Sequence, residues 1–244
     1  MRLSNNNEVL NIEFQETSVQ TLPKLFLDSP RIVISDEFVK YEEVHMDSDL
    51  FGSKKFMDVN NEIDVMLFGK KDLRLKYLEI EIPLNIKFNF ENEISDTSNI
   101  GILSMDKEVS FYLDKIDSAS YDENEGSILL LYSSSAVLST KTECKLVAKD
   151  FYLLHQAGII IGWQLRNCHE YICDYFGAYQ QKLPSNYYVL LSRFFSQYNE
   201  STFDKMANQD LNFRSELDSL KSDSSKSNFS VIAEVIEGWV EDYY

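Results

Sequence analysis

The chain predicts an α+β fold: an N-terminal, mostly antiparallel β-sheet region followed by C-terminal helices packed on it. Three observations carry this. Short runs with a period of two, separated by turn residues, fill the first part of the chain. Apolar residues at three- and four-residue steps fill the last part. The apolar content is 44% and the aromatic content 13%, enough for a sizeable core. The expected division is a β-rich region over 1–149 and a helical region over 150–244, as two units or as one continuous domain.

The elements follow in order. Residues 1–7 are polar and read as a frayed end. Val9, Phe14 and Val19 alternate with polar residues, which reads as a strand over 9–14. Leu25–Leu27 and Arg31–Ile34 flank a Ser29-Pro30 turn, Phe38–Val44 reads as a short strand, and 45–58 as a loop. The clearest local pattern is Glu62–Lys87. Two alternating runs meet at Gly69-Lys70-Lys71-Asp72, which specifies a β-hairpin. Pro83 cannot donate to a ladder and marks a strand end, after which Leu84–Phe90 alternates strictly. Residues 91–100 read as turn, and Ile102–Met105 and Val109–Leu113 as short strands. Asp117–Gly126 reads as an acidic turn, Ser127–Ser133 as a central strand and Lys145–Ala148 as a last strand.

Residues 150–181 are the most apolar segment and hold two of the three cysteines and two of the three histidines. Phe151, Leu154, Ile161, Leu165, His169, Ile172 and Phe176 recur at helical spacing. Gly158 and Gly162 weaken a single helix, each by about 1 kcal/mol relative to Ala. A helix–strand–helix arrangement, with the strand over Gly158–Leu165, fits as well. In either reading His169 and Cys173 share a helix face. Beyond Pro184, Tyr187–Tyr198 reads as a helix, Ser201-Thr202 as a helix start, and Phe213, Leu217 and Leu220 as one helix face. Ser222–Ser227 reads as a linker. Ser230 is placed to cap a final helix that buries Ile232, Val235, Ile236, Trp239 and Tyr243 and turns Glu234, Glu237, Glu241 and Asp242 to water.

Charge narrows the function. The net charge is −17, which repels phosphate backbones and anionic lipid, so neither nucleic acid nor a membrane is the expected partner. The one basic cluster, Lys70, Lys71, Arg74 and Lys76, falls on a hairpin turn and reads as a solvated face. No leader-like apolar segment opens the chain, and three cysteines are too few and of the wrong parity for a disulfide framework, so a cytoplasmic protein with reduced thiols is expected.

Chemical motifs are few. His169 and Cys173 allow a metal pair or an activated thiol, but zinc needs three or four ligands and the other candidates have no matching spacing. There is no G-x-S-x-G elbow and no glycine-rich phosphate loop. Carboxylates occur in pairs at Glu42–Glu43, Asp47/Asp49 and Asp122/Glu123/Glu125, as 40 acids in one chain make unavoidable. No enzyme activity and no cofactor are expected.

The expected function is therefore an acidic protein-binding module, in the form of an inhibitor or immunity-type protein that neutralises a basic toxin or enzyme as a monomer or homodimer. Acidic surfaces steer basic partners, and tyrosines are favoured in interfaces. The residues expected to contact the partner are Tyr121, Asp122, Glu123, Glu125, Tyr179 and Tyr187. A structural or assembly accessory is the alternative, and a hydrolase using a Cys/His or carboxylate pair a further one.

Overall fold

The hairpin specified by Gly69–Asp72 is the clearest entry to the architecture. The computed structural model describes residues 2–5, 8–17, 21–35, 49–53, 64–88, 100–111, 113, 115–133, 142–180, 183–184 and 186–244. The expected strand at Phe38–Val44, most of the 45–58 loop, the 91–99 turn, most of the Ser133–Thr142 segment and the pair Glu42–Glu43 lie outside the described residues.

Strand β6 (Val65–Gly69) pairs antiparallel with β7 (Leu75–Glu81), from Val65 opposite Glu79 to Phe68 opposite Leu75. The basic turn between them is solvated: Lys76 pairs with Asp72 at 2.7 Å, and Lys71 with Asp49 at 3.7 Å. With β3 (Pro23–Phe26), β4 (Arg31–Ser35), β5 (Leu50–Gly52) and β15 (Ile172–Cys173) these strands form one sheet in the order β15-β3-β4-β7-β6-β5. The β5 segment reads as loop by composition; backbone pairing of Phe51 with Phe68 makes it a strand.

The second sheet holds β1 (Arg2–Asn5), β2 (Glu8–Glu16), β8 (Lys87–Phe88), β9 (Gly101–Met105), β10 (Ser118–Asp122), β11 (Ser127–Leu131), β12 (Glu143–Ala148), β13 (Phe151–Gln156) and β14 (Ile159–Leu165). Its path runs β8-β10-β11-β14-β1-β2-β9, and β13 joins β12 to β14. A parallel bridge from Ile100 to Leu146 also brings the start of β9 to β12, so the path β14-β1-β2-β9-β12-β13 returns to β14. The chain start is therefore paired, not frayed: Arg2–Asn5 lies against Glu8–Asn11, a contact that a short polar sequence cannot reveal.

The largest correction concerns residues 150–181. They open as a β-hairpin, not a helix. Phe151–Gln156 and Ile159–Leu165 pair across a two-residue turn in which Ala157 (φ 49°) and Gly158 (φ 79°) both adopt positive φ. That backbone matches the twist of the flanking strands. Gly162 sits where β14 crosses β11 so closely that a Cβ would lie 2.0 Å from the Leu130 carbonyl oxygen. A strand buried on both faces shows no alternation, so its apolar run mimics a helix face. Trp163 is fully buried, stacks on Phe151 at 5.4 Å, and donates its indole N–H to Tyr132 Oη at 2.9 Å. A short 3-10 turn, Cys168–Tyr171, then leads into β15.

Helical structure begins at α1 (Tyr187–Gln197), followed by α2 (Glu200–Ala207), α3 (Leu211–Lys226) and α4 (Ser230–Tyr243). Side-chain caps start two of them. Asn199 Oδ1 accepts from the Thr202 N–H, and Asp210 Oδ1 accepts from the N–H groups of Asn212 and Phe213. The stretch expected as a linker, Ser222–Ser227, instead continues α3 to Lys226. Its polar composition conceals the apolar stripe, which ends at the fully buried Ser224. The arrangement is α+β, with strands preceding helices in the chain. The helices close onto the sheets through one continuous core in which Tyr121 of β10 meets Phe195 of α1 at 4.9 Å and Phe194 stacks on Trp239 at 5.5 Å. No helix among the described residues is long and apolar enough to cross a membrane.

Candidate functional site

The six residues expected to contact a partner divide into three groups. Asp122, Glu123 and Glu125 form the β10–β11 turn. Asp122 uses Oδ1 to accept from the N–H groups of Asn124 (2.8 Å) and Glu125 (3.3 Å), so it braces the turn. Glu123 is exposed and accepts from Ser192 Oγ of α1 at 2.9 Å. Tyr187 is half-buried beside this turn and its hydroxyl lies 3.2 Å from His169 Nε2. Tyr121 is no surface residue at all: it is wholly buried under Phe88 and Phe195, because β10 alternates inward at Ala119 and Tyr121. The stretch expected as a turn from Asp117 hides that alternation behind small and acidic residues. Tyr179 lies elsewhere, half-buried against Cys173, with its hydroxyl donating to the Pro23 carbonyl at 3.3 Å. Burial pushes its hydroxyl up to about 12.

His169 and Cys173 do not share a face. His169 projects from the 3-10 turn into an aromatic group, its ring 4.3 Å from Tyr187 and 5.7 Å from Tyr188. Burial lowers its pKa. Cys173 belongs to β15 and packs with Phe26, Val33 and Tyr77. Burial raises its thiol to about 12 and raises that of Cys168 further. Both thiols are neutral at physiological pH, whereas a nucleophilic cysteine needs its thiolate. Among the described residues no three or more His, Cys, Asp and Glu side chains converge as a metal ion requires.

A different arrangement stands out next to Cys173. Residues 174–178 form a tight loop. Asp174 N–H donates to the Ala178 carbonyl at 3.0 Å, and Asp174 Oδ1 accepts from the N–H groups of Phe176 and Ala178, both at 2.9 Å. The loop holds Tyr175 and Phe176 edge-to-face at 5.5 Å, with exposures of 66% and 79%. Helical spacing predicts Phe176 on a buried face; the loop turns it outward instead.

Between this loop and α4 lies a groove of about 280 Å³. Its α4 side is a stripe at helical spacing: Val231, Val235 and Trp239 supply apolar surface, and Glu234 and Asp242 stand beside them. Asp174 and Asp28 complete the acidic rim. Asp28 is matched by Arg31 at 3.5 Å. Among the described residues no cation pairs with Asp174, Glu234 or Asp242, and no Lys or Arg lines the groove.

Glu234 and Asp242 are exposed, as their helical spacing predicts, and only the fold brings Asp174 to the same groove. Two signals were available: Asp174 followed by Gly177, a turn pattern, and Gly238 interrupting an otherwise strong helix. No family model matches the chain, and no curated protein matches it either.

Proposed function

We propose that this chain is a protein-binding protein whose partner is basic, acting as an inhibitor or immunity-type protein in a reducing, cytoplasmic setting. The observation that carries the reading is the Tyr175–Phe176 pair. Two large aromatic side chains stand exposed on a loop braced by four hydrogen bonds through Asp174. Rigid, exposed aromatics lose little entropy on docking and dominate binding energy at interfaces. Next to them is an acidic rim, in a chain of net charge −17. Such a surface accelerates the approach of a positively charged protein and repels acidic ones. The three cysteines are buried thiols rather than disulfides, which accords with a reducing compartment.

The test is affinity capture from the source cells with the immobilised full chain at low salt. A stoichiometric partner with a basic isoelectric point is expected. Recovery of no stoichiometric protein, or of an acidic one, overturns the reading.

A further inference from the structure

We infer that the groove between the 174–178 loop and α4 is a receptor for one lysine or arginine side chain of the partner protein. The inference rests on the function proposed above and specifies its chemistry. Three features lead to it.

The first is size. At about 280 Å³ the groove falls just below the roughly 300–1,000 Å³ of sites that enclose drug-sized molecules. It matches an inserted side chain better than a free metabolite.

The second is the distribution of polarity. Val231, Val235 and Trp239 offer apolar surface, while Asp174, Glu234 and Asp242 stand at the edge without a cationic partner among the described residues. A lysine or arginine divides in the same way, with an aliphatic stem and a charged head. The stem lies on the valines, and the head reaches the carboxylates. Tyr175 and Trp239 line the same groove, and an aromatic ring attracts a cation that reaches its face. An acidic or neutral side chain would leave three carboxylates facing an unmatched group.

The third is Gly238. It sits in the interior of α4, where glycine costs about 1 kcal/mol relative to alanine. A Cβ built on it meets nothing within 4 Å among the described residues. No packing within the described fold demands the glycine. Its absent side chain deepens the groove beside Val235 and Trp239, and an occupant explains why the helix tolerates that cost.

The chain has two tryptophans, which makes the test internally controlled. Trp239 lines the groove; Trp163 is sealed in the core. Blocked Gly-Lys-Gly and Gly-Arg-Gly peptides are titrated into the full chain, and the two indole N–H signals are followed by NMR. The expected result is a saturable shift of Trp239 with a Kd in the millimolar range, and no movement of Trp163. The norleucine peptide, which keeps the stem and lacks the charge, binds about fivefold weaker or worse. Glu234→Gln combined with Asp242→Asn removes the lysine preference; both residues are exposed, so the fold is retained. Gly238→Leu fills the groove and abolishes the shift.

Equal response to lysine and norleucine, or no response at Trp239, overturns the inference. The two proposals fail separately. If the wild-type chain captures a basic partner and Gly238→Leu leaves that affinity unchanged, the groove is not the receptor and the function stands. If the peptides bind as described but no stoichiometric partner is recovered, the proposed function fails and the groove's preference stands.

Discussion

Replacing Asp150 with alanine tests how the β12–β13 connection is tied to the 3-10 turn that precedes β15. Asp150 has φ 56°, a left-handed conformation that aspartate tolerates better than alanine. Its Oδ2 accepts from the hydroxyl of the buried Tyr171 at 2.7 Å and from Asn167 Nδ2 at 3.3 Å. Its carbonyl accepts from the Arg166 N–H at 2.8 Å, a bond the substitution leaves in place. A hydrogen bond to a charged group contributes about 1.5–3 kcal/mol, and the half-buried position of Asp150 argues for about 1.5. The longer bond from Asn167 contributes about 0.5 kcal/mol, and alanine at positive φ costs about 1 kcal/mol. Asp150→Ala is thus expected to lose about 3 kcal/mol, or roughly 6–12 °C in Tm for a domain of this size. Asp150→Asn keeps an acceptor and tolerates the backbone, so it should lose about 1 kcal/mol. Tyr171→Phe should lose about 1.5 kcal/mol, and the double variant Asp150→Ala/Tyr171→Phe should show coupling of similar size. Urea denaturation followed by tryptophan fluorescence measures all four. An Asp150→Ala variant within about 0.5 kcal/mol of wild type, or an Asp150→Asn variant equally damaged, would show that the Asp150 carboxylate does not hold the turn.

Three more expectations follow from single residues. The Tyr121 hydroxyl is buried without a hydrogen-bond partner among the described residues, so Tyr121→Phe should be neutral or stabilising by up to about 1 kcal/mol in denaturant titration and should leave partner binding unchanged. Gly238→Ala should stabilise the chain by about 0.5–1 kcal/mol, read as a small rise in Tm; a fall would mean that the space above Gly238 is filled. Burial lowers the pKa of His169 below its unfolded value of 6.5, so the folded state binds fewer protons. Its contribution is intact above that value and is lost as pH falls from there through the lower folded pKa. His169→Gln should therefore lose less stability than wild type between about pH 7 and pH 5, and parallel losses in the two proteins would contradict the assignment.

The β6–β7 hairpin is legible because its turn chemistry is local and β7 carries charged residues at its less buried positions, although β6 is buried along its whole length. The buried hairpin at 151–165 was not legible for the opposite reason. With both faces covered it has no polar alternation, and its apolar positions fit a helical period by coincidence. The strand at Arg2–Asn5 and the strand at Leu50–Gly52 exist through backbone pairing, with Glu8–Asn11 and Leu67–Gly69 respectively, which composition does not record. The helices were legible from their stripes, except where Ser224 takes a core position. Of the residues expected at an interface, Glu123 and Glu125 do lie on the surface, while Tyr121 fills the core. The groove is not legible in the sequence because Asp174 and Glu234 lie far apart in the chain and meet only in the fold.

In the proposed function a basic protein docks on the aromatic loop and acidic groove. The most direct measurement is affinity capture with wild type and with Tyr175→Ser/Phe176→Ser side by side, at about 50 mM and about 500 mM salt, where screening differs severalfold. One stoichiometric basic protein is expected to be held by wild type at low salt, weakened at high salt, and lost by the variant at both. A partner retained equally by the variant, or one indifferent to salt, would contradict the proposed function.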